Sequence, residues 1–434
     1  MSLRILPILI CLFLLQGCAT TAEKEKAKEK EPEIPPIILE QQFFVDLPGW
    51  SGDGHAEAFV TFQKTCERFA KKDKHEIVKK SGIAGTYQDW QSVCAESKHV
   101  DAADNEAAKN FFEKWFSAYL VRNRESTEDE GLFTGYYEPL LFGSFEKSER
   151  FNTPLYARPD NLIEVNLGEF RDKLSGQRIA GRVIDGKLKP YYERAEIEEG
   201  ALEQDGEVIL WVDNPVQAFF LHIQGSGRVQ MDDGSIIPVG YAGQNGHVYY
   251  AIGRHLIDIG VLTKETVSLP SIRDWLAENS AEAQIVMNKN ASYIFFRKLN
   301  LKETPLGAAG VPLTAGRSLA VDRKLWAYGM PMWIDVAGVF KEDERIRRLM
   351  VAQDTGGAIR GPVRGDFFWG HGDDAETFAG HMKSKGRYWV FLPRYISVPE
   401  ELTTFPKKKP DYFKPFRIML EKVGLSSAKE GSAG

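Results

Sequence analysis

The chain has 434 residues, of which 43% are hydrophobic and 27% are charged. At about 150 residues per domain this length predicts roughly two or three domains, and the apolar content is ample for buried cores. The formal net charge of −6 argues against a nucleic-acid-binding protein, because such proteins normally present a basic face.

Residues 1–17 are predicted to form a signal peptide, since Arg4 is followed by an apolar stretch too short for a permanent transmembrane helix. The stretch ends in Leu-Gln-Gly-Cys at Cys18, which resembles the lipobox of bacterial lipoproteins, where cleavage precedes a cysteine that carries diacylglycerol. An ordinary signal peptide with an incidental cysteine is the alternative. Because Ala19 replaces the aspartate of the usual inner-membrane retention signal, we expect a lipid anchor on the periplasmic face of the outer membrane.

The flanking segments and the two remaining cysteines suit an exported protein. Residues 18–40 are charged and contain prolines, as is typical of a linker behind a lipid anchor, and residues 399–434 are predicted to be a C-terminal tail. In an oxidising compartment Cys66 and Cys94 favour a structural disulfide over two buried free thiols. Neither cysteine lies in a cluster of metal-binding residues, so we expect neither a metal nor a cofactor.

Apolar residues recur first at helical and then at strand spacing along the chain. Helices are predicted at residues 54–72, 85–97 and 105–121, from Asn214 onward, and near residues 247–259 and 271–289. Strand-like runs begin near Phe133, and six later ones lie at residues 292–297, 318–322, 332–336, 348–354, 366–369 and 387–392. Because few helices separate these six runs, they predict a closed or nearly closed β-barrel, in which closure removes exposed edges.

The most informative segment carries Asp354 and Asp366, twelve positions apart. Asp354 ends an apolar run and leads into a Gly-Gly turn, whereas Asp366 opens an aromatic run that includes Phe368. Glycines let the backbone bend sharply and let a large ligand approach closely. A carboxylate that loses hydration beside an aromatic ring has a raised pKa, which suits an acid acting on a glycosidic bond.

Several segments together resemble the membrane-bound lytic transglycosylase A family, whose members are outer-membrane lipoproteins that cut peptidoglycan glycan strands. The matching segments are Phe133–Pro139, Gln224–Arg228, Ser292–Phe296, Val311–Thr314, Leu319–Asp322, Ala352–Ile359 and Gly365–Gly370. The resemblance implies a mainly β protein with peripheral helices and a double-psi β-barrel catalytic domain, formed by residues 41–138 and 290–398. A smaller β-domain, residues 139–289, would be inserted into it, with the substrate groove between the two.

The aspartates of that family's three-aspartate module map onto Asp322, Asp354 and Asp366. The resemblance implies that Asp366 is the single catalytic acid and base, and that Asp354 is a supporting carboxylate and the fallback catalyst. Asp322 is expected to be a structural hydrogen-bonding residue. Residues expected to hold the glycan, by stacking, hydrogen bonding or close backbone approach, are Thr134, Tyr136, Tyr137, Gln224, Gly225, Ser226 and Trp369.

The expected function is a lytic transglycosylase that cleaves the β-1,4 bond between N-acetylmuramic acid and N-acetylglucosamine and forms a 1,6-anhydro end. Its partners would be peptidoglycan strands and, through the lipid anchor, the membrane; we expect a monomer that is able to join cell-wall enzyme complexes, and no nucleic acid. Two alternatives are a peptidoglycan hydrolase (muramidase) and a non-catalytic, expansin-like lipoprotein that binds murein. An aspartic protease is disfavoured because Asp354-Thr-Gly has no second copy in the chain.

Overall fold

A ring of paired strands is the central feature of the computed structural model, which describes residues 34–405 except residues 80–81, 175 and 301–304. The predicted signal peptide, Cys18 and most of the predicted tail lie outside the described residues. The strands are β1 (Ile37–Gln42), β2 (Phe116–Asn123), β3 (Gly131–Glu138), β4 (Leu140–Ser144), β5 (Thr153–Tyr156), β6 (Ile163–Asn166), β7 (Arg178–Ile184), β8 (Lys187–Pro190), β9 (Val208–Val212), β10 (Ser226–Met231), β11 (Ile236–Gln244), β12 (Ile294–Lys298), β13 (Ser318–Val321), β14 (Pro331–Ala337), β15 (Arg345–Asp354), β16 (Arg364–His371) and β17 (Lys383–Pro393).

Helices surround these strands and connect them. They are α1 (His55–Phe69), α2 (Tyr87–Ser97), α3 (Asn105–Trp115), α4 (Arg194–Glu196), α5 (Pro215–Gln224), α6 (Ile252–Asp258), α7 (Leu269–Glu278), α8 (Ser280–Met287), α9 (Asp373–His381) and α10 (Glu400–Thr403). A π-helical turn, Ile197–Ala201, and short 3-10 turns complete the described structure.

The ring follows the order β17-β14-β15-β13-β16-β3 and closes where β3 pairs back with β17. Strand β13 is parallel to β15 and β16 is parallel to β3, whereas the other pairs in the ring are antiparallel. Strands β2 and β1 extend the sheet outward from β17. This closed ring and the surrounding helices confirm the predicted mainly β architecture with a barrel.

One strand that was predicted to lie in the barrel belongs to another sheet. The run at residues 292–297 was expected in the barrel, but it forms β12 and pairs with β11 in a separate six-stranded sheet of order β12-β11-β10-β4-β9-β5. Its place in the ring is taken by β3, which pairs with both β16 and β17. Apolar alternation marks a strand but does not name its partner, so the pairing could not be read from residues 292–297 alone.

The six-stranded sheet has its own core, and a three-stranded sheet of β6, β7 and β8 lies outside it. Leu141 of β4, Leu210 of β9 and Val229 of β10 pack with Leu221 of helix α5 in that core. The helix begins where the Asn214 side chain accepts hydrogen bonds from two backbone N–H groups, and it ends at Gly225, whose φ is +80°. The residue boundaries predicted for the barrel and the inserted domain stay a prediction.

Helices α1, α2 and α3 cover one side of the ring. A disulfide joins Cys66 of α1 to Cys94 of α2, and their Cα atoms lie 5.5 Å apart. The predicted helix at residues 105–121 is too long, because the chain beyond Trp115 becomes β2 and pairs with both β1 and β17. With helices on one side and the barrel interior on the other, β14 is buried along its whole length.

The barrel closes through a contact that only glycine allows. Gly131 of β3 faces Gly386 of β17, and a Cβ atom on Gly131 would lie 1.7 Å from the carbonyl oxygen of Val363. That oxygen belongs to backbone at the start of β16, so it cannot rotate away as a side chain would. A side chain at residue 131 therefore requires the strands themselves to separate.

We expect Gly131→Ala to lower the free energy of unfolding by about 1–3 kcal/mol, the usual effect of overpacking a well-packed interior. Gly52→Ala is the matched control, because a Cβ there meets no atom within 4 Å. Urea unfolding of the two variants beside the wild type measures the difference. Equal midpoints for both variants would show that the strands at residue 131 move apart freely.

Candidate active site

Strand β13 brings the two predicted acidic residues to the same level of the barrel. Ala320 pairs with Asp366 of β16 on one side and with Asp354 of β15 on the other. Thr134 and Tyr136 are two positions apart on β3 and so point to the same face, and they donate to Asp366 and Asp354, respectively; both carboxylates therefore lie on that face, the carboxylate face. Two strand spacings place their backbones about 10 Å apart. The side chain between them is the methyl group of Ala320, which is 3% exposed.

Asp366 is held by a hydroxyl group and an arginine. Its Oδ1 accepts a 2.5 Å hydrogen bond from Thr134 Oγ1, which faces it across the parallel β16–β3 pair. Thr134 Oγ1 in turn accepts a 2.9 Å hydrogen bond from Arg364 Nη2. Burial raises the pKa of Asp366 above its ordinary range, while the Thr134 hydrogen bond and the Arg364 charge act in the opposite direction. The side chain is nevertheless partly exposed, so a ligand can reach it.

Asp354 accepts hydrogen bonds at both oxygens. Its Oδ1 accepts from the backbone N–H groups of Ala308, at 2.9 Å, and Thr355, at 2.8 Å, and its Oδ2 accepts from Tyr136 Oη at 3.0 Å. Burial raises the pKa of Asp354 to about 6 despite these donors, and the Asp366 charge adds to the rise. A carboxyl with this pKa is mostly ionised at neutral pH, whereas each hydrogen bond restricts its freedom to react.

Asp322 supports the loop that joins the two carboxylates. Its Oδ1 accepts from the Lys324 N–H and its Oδ2 accepts from the Gly361 N–H, both at 2.9 Å. The side chain is 4% exposed and both of its oxygens are engaged. The structural role expected of Asp322 stays a prediction, and these two hydrogen bonds are the contacts through which it would act.

The predicted glycan-binding residues fall into two groups. Thr134 and Tyr136 lie on the carboxylate face, and each donates to one of the two aspartates. Gln224 lies close by, since its Oε1 accepts from the Tyr137 N–H at 3.2 Å, and Ser226 begins β10 two residues later. Gly225 serves to end helix α5, as its positive φ requires.

The other two aromatic candidates pack against protein. Tyr137 is 5% exposed and packs with Ala375 and Ala379 of helix α9. The Trp369 ring stacks on Phe378 with centroids 4.6 Å apart. These contacts occupy ring surface that a sugar would need, so the sugar-binding roles of Tyr137 and Trp369 stay predictions.

Sequence reasoning missed residues that loops carry to the site. Tyr249, in the segment after β11, lies near Asp366, whose charge adds to the effect of burial in raising the Tyr249 pKa. The charge of Asp354 likewise adds to the effect of burial in raising the Tyr328 pKa. The backbone N–H of Ala308 donates to Asp354. No periodic pattern marks these positions, because each depends on where an irregular segment crosses the barrel. The sequence around these residues indicated turns, but nothing in it indicated that the residues lie near the two aspartates.

A cavity of about 490 Å³ lies on the Arg364 side of β16. Its walls include Leu132 of β3, Arg364 and the acidic residues Glu128 and Glu130. Among the described residues, no group of three or more His, Cys, Asp and Glu side chains is placed to hold a metal ion. The side chains at the described site offer two carboxyl groups whose pKa values are raised by burial, together with hydroxyl and backbone N–H donors.

Two family models match separate parts of the chain. The MltA specific insert domain matches residues 132–297, and the 3D domain matches residues 317–392. The chain is 33% identical to the Escherichia coli protein named membrane-bound lytic murein transglycosylase A, over 59% of this chain and 64% of that protein. The chain thus spans slightly less than two thirds of the length of the curated relatives that it matches.

Solved structures are similar over more of their length. The structure of MltA from Neisseria gonorrhoeae, in its monoclinic form, is 32% identical with a TM-score of 0.71, covering 84% of this chain and 94% of that one. A membrane-bound lytic murein transglycosylase from Agrobacterium tumefaciens is 32% identical with a TM-score of 0.73, covering 82% and 98%. Escherichia coli MltA with bound chitohexaose is 26% identical with a TM-score of 0.59, covering 83% and 95%.

The raised pKa of Asp354 makes stability depend on pH in a defined direction. Between its ordinary value of 3.8 and about 6 the folded protein holds this proton and the unfolded chain does not. The stabilisation is complete below about pH 4 and is lost as pH rises through about 6. The free energy of unfolding of the wild type, compared with that of Asp354→Asn, should therefore fall by about 3 kcal/mol between about pH 4 and 7.

Urea unfolding at several pH values measures this difference. The exposed Asp374→Asn is the control, and its profile should follow that of the wild type. Parallel profiles for wild type and Asp354→Asn would mean that the Asp354 carboxyl keeps its ordinary pKa in the folded protein.

Proposed function

The chain belongs to the membrane-bound lytic murein transglycosylase A family, and on this basis we propose that it cleaves peptidoglycan glycan strands with Asp366 as catalyst. The bond cut is the β-1,4 bond between N-acetylmuramic acid and N-acetylglucosamine, and the product carries a 1,6-anhydro end. The observation that carries the proposal is the Asp366 carboxyl, partly exposed beside Asp354 on one face of the barrel, with a pKa raised by burial.

One carboxyl group is sufficient for both steps of this reaction. Protonated Asp366 first donates its hydrogen to the glycosidic oxygen as the bond to the muramyl C1 breaks. The resulting carboxylate then removes the hydrogen of the 6-hydroxyl of the same muramyl residue, while that oxygen bonds to C1 and closes the anhydro ring. Asp366 ends in its starting state, and no water is consumed. Positioned acid–base transfer of this kind typically gives about 10²–10⁴-fold acceleration.

Asp354 fits a supporting electrostatic role. With a pKa of about 6 it is mostly ionised at neutral pH, and a negative charge near the reacting ring favours the positive charge that develops at C1. The two backbone N–H groups and the Tyr136 hydroxyl hold this carboxylate in place. Fixed charges of this kind need no reorganisation during the reaction.

An extended glycan would lie across the carboxylate face and against the residues of the inserted region. The E. coli relative in complex with chitohexaose supports an oligosaccharide ligand for this family member as well. Thr134, Tyr136, Gln224 and Ser226 offer polar groups close to the aspartates. The 6-hydroxyl is part of the bound sugar, so its effective concentration at C1 far exceeds that of a free acceptor.

The membrane association proposed for the chain rests on Cys18 and on the names of its relatives. The curated relatives are called membrane-bound. Among the described residues, none of the helices combines the length and the apolar character needed to cross a bilayer. We propose that diacylglycerol on Cys18, which lies outside the described residues, anchors the chain to the periplasmic face of the outer membrane.

Asp366→Asn should lower the release of anhydro-muropeptides from purified sacculi by at least about 100-fold, because an amide cannot act as a general acid and then as a general base. Asp374→Asn, which removes an exposed carboxylate near β16, should release products at the wild-type rate. Mass spectrometry separates an anhydro end from the reducing end that a hydrolase leaves, since the two differ by one water.

Three outcomes would count against the proposal. Reducing ends would indicate the muramidase alternative, and unchanged release by Asp366→Asn would remove this residue from the chemistry. Binding to sacculi without release by either form would favour the murein-binding lipoprotein.

Cys18→Ser should move the full chain out of the membrane fraction and abolish incorporation of labelled palmitate during expression. Cys11, in the same predicted leader, gives the matched control, and Cys11→Ser should still incorporate label. Equal labelling of the wild type and Cys18→Ser would rule out lipidation at this cysteine.

A further inference from the structure

We propose that Arg364 is a positioning residue that acts through Thr134 to fix which oxygen of Asp366 carries the catalytic proton. The proposal rests on the proposed function, because it assigns a role within that reaction. It concerns a chain of two hydrogen bonds, from Arg364 Nη2 to Thr134 Oγ1 and from Thr134 Oγ1 to Asp366 Oδ1.

Arg364 is itself hydrogen-bonded to the backbone of two strands. Its Nη1 donates to the carbonyl oxygens of Leu132 on β3, at 3.2 Å, and Gly365 on β16, at 2.5 Å. A guanidinium group only donates hydrogen bonds. Thr134 Oγ1 must therefore act as the acceptor of Nη2, and its position is set by a group anchored to the barrel backbone.

The Thr134 hydroxyl has one hydrogen and two lone pairs, of which Arg364 occupies one. Suppose that Asp366 carried its proton on Oδ1 and donated it to Thr134. The hydrogen of the Thr134 hydroxyl would then have no acceptor among the described residues. The favourable arrangement has Thr134 donating to Oδ1, so the acid proton resides on Oδ2. No hydrogen bond from the described residues reaches Oδ2, which leaves that proton available to a glycosidic oxygen.

Other charged and titratable groups surround Asp366 from each neighbouring element. They are Arg364 on β16, Tyr136 on β3, Asp354 on β15 and Tyr249 in the segment after β11. Two further groups on adjacent elements are engaged elsewhere: Lys383 of β17 donates to the carbonyl oxygen of Lys264, and Glu376 of helix α9 pairs with Arg273. Strand β13 contributes Ala320, which does not titrate. Arg364 is thus the one cation among these groups whose charge lowers the pKa of Asp366.

The experiment compares initial rates of anhydro-product release from sacculi by the full chain and its variants. Thr134→Val and Arg364→Gln should each lower kcat by roughly 10-fold or more, with smaller changes in KM, since positioning of a general acid acts on the chemical step. The double variant should be no slower than Thr134→Val alone, because Arg364 acts through the hydroxyl. Thr134→Ser, which keeps the hydroxyl, should restore most of the rate.

The pH profile gives a second readout that a merely structural role would not move. Loss of the Arg364 charge makes the Asp366 proton harder to remove, so the alkaline limb of kcat/KM should move up by about one pH unit in Arg364→Gln. Arg364→Lys keeps the charge and should keep the limb near its wild-type position. Arg360→Gln is the matched control, because among the described residues that guanidinium donates to carbonyl oxygens of its own loop and to no other group.

Separate results test the two proposals. Losses that multiply in the double variant, or an alkaline limb that stays in place in Arg364→Gln, would overturn the role of Arg364 while wild type still makes the anhydro end. A wild-type chain that makes no anhydro end would instead overturn the proposed function. If Arg364→Gln fails to fold, Arg364→Met, which also removes the charge and the N–H donors, replaces it in both criteria, alone and in the double variant with Thr134→Val.

Discussion

The arrangement of the site depends on the two-sided pairing of strand β13. Because Ala320 faces Asp354 across one ladder and Asp366 across the other, the two carboxylates share a face and a level. A shift of either neighbour by one residue would turn its aspartate to the opposite face. On the β15 side the register shifts between Leu319 and Ala320, which pair with Ala352 and Asp354, so the pairing passes over Gln353 and places Asp354 opposite Ala320. The relative placement of the two carboxylates is therefore a consequence of how these strands pair.

Buried polar networks around this core reinforce the same register. The Gln353 side chain, next to Asp354, accepts from Ser318 Oγ and donates to Thr61 and Thr65 of helix α1. Arg317, beside Ser318, pairs with Asp53 at 2.7 Å, and both side chains are almost fully buried. A buried ion pair tolerates the loss of neither partner. Such contacts tie β13 and β15 to the covering helices and limit sliding between the strands.

The sequence predicted the parts of this structure that periodicity and local chemistry encode. Runs with strand spacing at residues 318–322 and 332–336 became β13 and β14, and the Asn214–Pro215 start signal became helix α5. The strand at residues 292–297 was found but assigned to the wrong sheet, because partner choice depends on distant contacts. At the site, the positions of Asp354 and Asp366 came from motif resemblance. The contacts of Tyr249 and Ala308 follow from loop paths that no local pattern records.

The hydrogen bonding of Asp354 bears on which reaction the site favours. A retaining hydrolase needs its second carboxylate as a nucleophile, and an inverting one needs it as a base for water. Here both oxygens of Asp354 already accept hydrogen bonds, from two backbone N–H groups and a phenol. Such bonds lower the pKa of Asp354 and hold its oxygens in place, although burial still leaves that pKa at about 6. In the reaction that we propose, Asp354 therefore supplies charge, and the proton is exchanged by Asp366, whose Oδ2 accepts no hydrogen bond from the described residues. The proposal takes the sugar's own 6-hydroxyl as the acceptor, because it needs only one reactive carboxyl group.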